Sequence, residues 1–298
     1  MKRIKPELAV CLSAFLSFCI LCGAGTLFQT YPVVRTEVSV VLSELLAFIP
    51  AILLLYRLAP NFSFEFFGVP KRPHPVETTM FVCVSGAAVT FLSFILNYIF
   101  YFLTSITDIS LDTAMVSVKG SGGANTFFLI ASVLVPAIIE EVYLRGVVQS
   151  VIAPELDQKH IIIFSGILFA ILHASLQNFI GPLVAGCYYA WLVCALGSVW
   201  YAVLAHCIHS VLFYGIGWLL EFFGAFGIWA RFPAISLILF LLFFYISLRF
   251  AERLVVHHRF DPVPVKKYSF RFFGKLFGNI AMLALLFAFI AKAVFGIL

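Results

Sequence analysis

The chain has 298 residues, of which 63% are hydrophobic and only 11% charged. A soluble domain of that size needs far more polar surface, so the composition excludes one and points to a polytopic membrane protein. The net charge of +5 invites an anionic partner, but most Lys and Arg fall in short loops between apolar runs. Membrane topology accounts for them there, and no nucleic-acid partner is expected.

Lys2, Arg3 and Lys5 precede a first apolar run, residues 8–28. It reaches the about 20 residues a span requires and shows no obvious A-x-A cleavage pattern, so it reads as an uncleaved first helix, not a signal peptide. Further runs follow near 38–58, 79–104, 127–152, 160–176, 179–196, 199–220, 232–250 and 277–297. The limits of the fifth to seventh are blurred by Gly181, Gly186 and Gly197. The expectation is an all-α transmembrane bundle of about nine helices, because a bundle satisfies its backbone hydrogen bonds in lipid and these runs are too long and continuous for barrel strands. Three regions follow: 1–126 with the first helices and an interfacial segment, 127–220 with the chemistry, and 221–298 with the last helices and a basic loop.

Placing the N-terminus in the cytoplasm puts Lys2, Arg3, Lys5, Arg57, Lys71, Arg72, Lys159, Arg249, Arg253, Arg259, Lys266, Lys267, Arg271 and Lys275 inside. Only Arg35, Lys119 and Arg231 remain outside, a split that fixes the orientation of a multi-pass protein of the cell membrane. Pro60 to Glu77, with four phenylalanines beside Lys71 and Arg72, and Arg249 to Lys275 read as interfacial stretches in contact with lipid. All seven cysteines lie within apolar runs without metal-ligand spacing, and they read as small packing residues.

The fourth run, 127–152, carries Glu140 and Glu141 in its middle and Arg145 one turn on; the next runs bring His173 and His206. Ionisable groups at membrane depth cost at least ~2.5–3.5 kcal/mol each on insertion scales, so several in neighbouring spans mark a buried polar site. Glu141 and Arg145 stand at i and i+4 and form a charge-compensating pair, while Glu140 points about 100° away and is left for work as a general base. Phe169 shares a face with His173, and His206 shares one with Ser210, with His209 beside them.

The order EEVYLR, FAILH, HCIHS resembles the EExxxR, FxxxH and HxxxN motifs of the CPBP family, the CAAX-processing and bacteriocin-processing intramembrane endopeptidases. The resemblance runs from Phe127 to Leu220, and GSVWYAVLAH and ELLAFIPAILLL also look like stretches of that family. It implies a protease acting on a peptide or protein substrate, in peptide maturation or bacteriocin self-immunity. Glu140 and His173 would hold and deprotonate a water; His206 with Ser210 would stabilise the oxyanion; Glu141, Arg145 and Phe169 would brace the site. The family has also been described as metalloproteases, and Glu140, His173 and His206 are a zinc-compatible set. The metal-free form is preferred here, so no cofactor is expected.

Ser210 stands where the family's third motif ends in Asn, and its hydroxyl is a shorter and less directional donor than an amide; His209 is the candidate substitute. An inactive member acting as a membrane binding partner therefore stays open, as does a proton-coupled transporter using the same residues. The missing internal repeat counts against the transporter. The pocket is expected to open toward the cytoplasm. Glu44 either faces the same pocket or bonds a neighbouring helix, Pro50 and Pro136 are expected to kink their helices, and Lys292 to snorkel. His160 is expected at an interface, and His257 and His258 in a solvated loop.

Overall fold

The computed structural model describes residues 4–31, 36–60, 62–68, 75–105, 126–176, 178–222, 232–256 and 269–295. Lys2, Arg3, Arg35, Lys71, Arg72, Lys119, Arg231, His257, His258, Arg259, Lys266 and Lys267 lie outside the described residues.

The fold is all-helical, with ten helices among the described residues. Helices α1 (Pro6–Thr30), α2 (Thr36–Leu58) and α3 (Pro75–Ser105) come first, with a single 3-10 turn, Glu65–Phe67, before α3. Helix α4 is a composite of Thr126–Leu129, Ile130–Leu134, Val135–Glu141, Val142–Val148 and Gln149–Ile152. Then come α5 (Gln158–Leu172), α6 (Ile180–Leu196), α7 (Val199–Phe222), α8 (Phe232–Val256), α9 (Ser269–Phe277) and α10 (Ile280–Phe295). Six of these are long and apolar enough to cross a membrane, or seven if the α9–α10 pair, bent by 54°, counts as one span. The protein is thus a multi-pass membrane protein in architecture, close to the nine-helix expectation.

The differences have local causes. Run 160–176 ends early: α5 stops at Leu172, and at 15 residues it forms with the 17-residue α6 a hairpin shorter than a full span. Asp157 opens α5 as its N-cap, its side chain accepting the His160 N–H, which satisfies one of the unpaired donors of the first turn. Gly197 closes α6 in the left-handed conformation (φ 70°) with its N–H bonded to Val193 O at 2.8 Å, a turn that only glycine makes without strain. In α4, Pro136 has no N–H to continue the ladder, and the turn before it, Ile130–Leu134, widens into a π-helix; a second π-helical segment spans Val142–Val148.

One end of the bundle collects the basic ends of the chain. Ile4 N–H bonds Leu58 O, Ser150 Oγ bonds Ser63 O, Trp200 Nε1 bonds Phe67 O, and Asp157 N–H bonds Ser269 Oγ. Lys5, Arg57, Lys159, Arg271 and Lys275 belong to these same segments. Inward of that end, Tyr143, Leu144, Val147, Val148, Val151 and Ile152 of α4 are all buried among Phe48, Leu55, Phe164 and Leu168, so the bundle is solid there. A second cluster of Phe91, Phe94 and Phe232 joins α3 to α8, whose outer face exposes Ile238, Leu241 and Tyr245 as lipid-facing side chains require.

Candidate active site

The α5–α6 packing sets the frame. Gly166 and Gly186 let the two helices approach so closely that a Cβ on Gly186 would lie 2.9 Å from Phe169 Cβ and 3.0 Å from Gly166 Cα. That approach brings the Gly186 carbonyl within 2.8 Å of Arg145 Nη2. Arg145 is fully buried, and its Nη1 donates to Glu141 Oε1 at 2.9 Å, while its guanidinium lies 4.6 Å from the Phe169 ring centroid and 5.4 Å from that of Tyr189. The ion pair expected from the i, i+4 spacing is formed, and aromatic faces supply part of the compensation that water would give.

Glu141 also orients a histidine. The same Oε1 lies 3.0 Å from His206 Nδ1, and since a carboxylate oxygen only accepts, His206 carries its proton on Nδ1 and turns Nε2 inward. The ring is stacked on Tyr189 with centroids 5.1 Å apart. Nε2 stands 4.0 Å from Glu140 Oε2, too far for a hydrogen bond. The Nε2 edge of the ring therefore points at the space in front of Glu140.

His173 is held differently from what a continuous helix would give. It is the C-cap of α5, and Ala174 after it adopts a left-handed conformation (φ 50°), a strained geometry for a residue with a Cβ, of about 1–2 kcal/mol. His173 Nδ1 lies 2.8 Å from Phe169 O. A carbonyl can only accept, so Nδ1 donates and Nε2 presents a lone pair to the cavity. Phe169 and His173 rings meet edge to face at 4.6 Å.

Glu140, Phe169, His173 and Glu44 line two adjoining cavities of about 380 and 250 Å³. The smaller one also receives His206, His209, Ser210 and Tyr189, together with Asn178 of the α5–α6 turn. That turn is seated on α3: Asn97 Nδ2 donates to Asn178 Oδ1 at 3.0 Å and Asn97 Oδ1 accepts the Gly181 N–H at 2.8 Å. The larger cavity is walled by Leu21, Cys22, Gly25 and Thr26 of α1, Phe48 of α2 and Lys292 of α10. Glu140 Oε2 is buried and has no hydrogen-bond partner among the described residues. The structure therefore brings Glu140, His173, His206, His209 and Ser210 to one hydratable space, with Glu141, Arg145 and Phe169 behind them.

This space lies toward one end of the bundle. Its lining comes from late α1 (Leu21–Thr26), early α2 (Val40–Phe48) and late α3 (Thr90–Asn97), the halves remote from the basic end. The α4 residues from Tyr143 to Ile152, on the side of the basic end, are buried.

Tyr189 and Gly186 escape a reading of the sequence. A tyrosine in an apolar helix carries no mark of its role, and Gly186 signals there only a blurred helix limit. Among the described residues no group of three or more His, Cys, Asp or Glu side chains is placed to hold a metal ion.

Residues 122–212, the segment that contains Glu140 through Ser210, match the family model described as Rce1-like, type II CAAX prenyl endopeptidase Rce1-like. The match supports an intramembrane endopeptidase of the CAAX type in general terms. No curated protein and no solved structure matches the chain.

Proposed function

We propose that the protein is an intramembrane endopeptidase in which Glu140 and His173 activate a water for attack on a peptide carbonyl. The observation that carries this reading is the contrast between adjacent glutamates: Glu141 is held by Arg145 and His206, while Glu140 Oε2 has no partner among the described residues and faces the cavity that His173 and His206 also line. A water there can give one hydrogen bond to Glu140 and another to His173 Nε2. Glu140 takes the proton as the oxygen attacks, and the imidazolium Nε2–H of His206 with the Ser210 hydroxyl meets the charge that develops on the carbonyl oxygen. The chemistry needs no metal ion. The biological role that fits is maturation of a membrane-associated peptide or self-immunity to one.

Two membrane preparations differing only in Glu140→Gln decide it. Comparative proteomics should find at least one peptide or protein shortened in the wild type and intact in the variant, and purified wild type should cleave it before and after dialysis against EDTA. Identical proteomes would overturn the endopeptidase reading, and loss of cleavage restored by zinc would overturn the metal-free mechanism.

A further inference from the structure

Glu44 lies in α2, outside the segment that matches the family, yet it lines both cavities together with Glu140, Phe169 and His173. Its neighbours one turn away on either side, Val40 and Phe48, line one cavity each, so the stripe 40–44–48 faces the site. Glu44 Oε2 is buried and has no hydrogen-bond partner among the described residues, as is true of Glu140 Oε2. Their negative charges would repel each other across the cavity. Among the described residues no arginine is hydrogen-bonded to either carboxylate, since Arg145 directs its donors to Glu141 and Gly186. Lys292 and His173 line the larger cavity with them, and His206 and His209 the smaller; two carboxylates facing one such space are accommodated at least cost when one of them carries a proton.

We propose that Glu44 is a second catalytic carboxyl, the acid that protonates the departing amine. This rests on the endopeptidase reading. In the attack step the water O–H bond breaks, its proton passes to the Glu140 carboxylate, the new C–O bond forms, and the carbonyl π pair moves to oxygen. In collapse that pair re-forms the C=O bond, the C–N bond breaks with its electrons going to nitrogen, and nitrogen takes the proton of Glu44. Glu140 then passes its proton to Glu44, and the pair is back where it began. Water and peptide bond are consumed, carboxylic acid and amine are made, and no other reactant enters. The arrangement divides between two residues the proton transfers that a single glutamate would otherwise perform by swinging between water and nitrogen.

The test compares an internally quenched peptide, selected from a positional-scanning library on the purified wild type, with the depsipeptide that has an ester at the scissile position. The alkoxide of an ester departs with far less need of a proton than an amine. Glu44→Gln is expected to lower kcat on the amide by about 10²–10³ and on the ester by less than about 10-fold. The wild-type amide rate should fall on the alkaline side of its pH profile, and that limb should flatten in Glu44→Gln. A thermal midpoint within a few degrees of wild type shows that the fold is kept, and Glu44→Asp should restore part of the amide rate. Equal losses on amide and ester, or a wild-type amide rate, overturn the proposal. Glu140→Gln separates the two readings: if it is inactive while Glu44→Gln is not, only the role of Glu44 falls.

Discussion

Replacing Arg145 by methionine removes the guanidinium while keeping an unbranched apolar chain in its channel. Arg145 makes two charge-assisted hydrogen bonds, 2.9 Å to Glu141 and 2.8 Å to Gly186 O, and stacks on Phe169 and Tyr189. Charged hydrogen bonds contribute about 1.5–3 kcal/mol each and the ring contacts about 0.5–2, a gross value of roughly 3.5–8 kcal/mol. Polar contacts between membrane helices measure lower, about 0.6 kcal/mol on average, because the partly unfolded chain finds other partners. Yet the loss here is not only of contacts: Glu141 is left buried with His206 alone, and breaking a buried ion pair from one side costs about 3–5 kcal/mol. That last figure is the expected loss for Arg145→Met. Equilibrium unfolding in mixed micelles, with the midpoint read from tryptophan fluorescence, measures it. Arg145→Lys should recover about half, since one ammonium cannot reach both acceptors in the same geometry. The double change Glu141→Gln with Arg145→Met should cost less than Arg145→Met alone, because no charge is then stranded. A loss under about 1 kcal/mol for Arg145→Met, or a double change that costs the sum of its parts, would refute the reasoning.

Gly186→Ala should act through the same frame: its Cβ would sit 2.9 Å from Phe169 Cβ, so α5 must move away from α6 and carry His173 with it. A loss of stability of about 1–3 kcal/mol, with kcat reduced more than KM is raised, checks this in the same assays. Ser210→Asn should raise kcat by up to about 10-fold and Ser210→Ala lower it, because an amide is the stronger oxyanion donor; equal rates for all three would remove Ser210 from the mechanism. At the basic end, burial works against the charge on Asp157, but the backbone N–H and ring of His160 and the Ser269 hydroxyl hold its carboxyl below the ordinary value. Its contribution to docking α9 is therefore complete above the unfolded pKa of about 3.9 and lost as pH falls through the lower folded value. Hydrogen exchange of α9 should rise across that acid range in wild type and not in Asp157→Asn.

The candidate site was legible because ionisable residues are conspicuous in a chain so apolar. Glu140, Glu141, Arg145, His173 and His206 stand out of spans by their cost, and helical spacing alone pairs Glu141 with Arg145. The helix count was legible for the same reason, run length against bilayer thickness. What hydropathy does not encode is where a helix stops inside an apolar run. Residues 173–176 are as compatible with helix as those before them by composition, and the end of α5 at Leu172 is decided by tertiary contacts: Ala174 is strained, and the turn is tied to Asn97 on α3. The π-helical turns of α4 escape for a related reason, since Pro136 announces a break in the ladder but not how the helix absorbs it. Nor can a run of hydropathy say which end of the bundle is hollow. That follows from the shortness of the α5–α6 hairpin and the packing of Tyr143 to Ile152, both properties of contact.

The position of the hollow bears on substrate. The cavities that Glu140 faces are walled by α1, α2, α3 and α10 as well as by the helices that carry the candidate site. Only the inner wall, with Glu140, His173 and His206, falls in the segment 122–212. The outer wall, with Leu21, Glu44, Phe48, Asn97 and Lys292, comes from helices beyond it. A hydrolytic centre such as the one proposed here can keep its chemistry while the surrounding helices set what enters. The side from which a peptide arrives, and the residues that first touch it, are therefore properties of this chain that the match to a prenyl endopeptidase family does not carry.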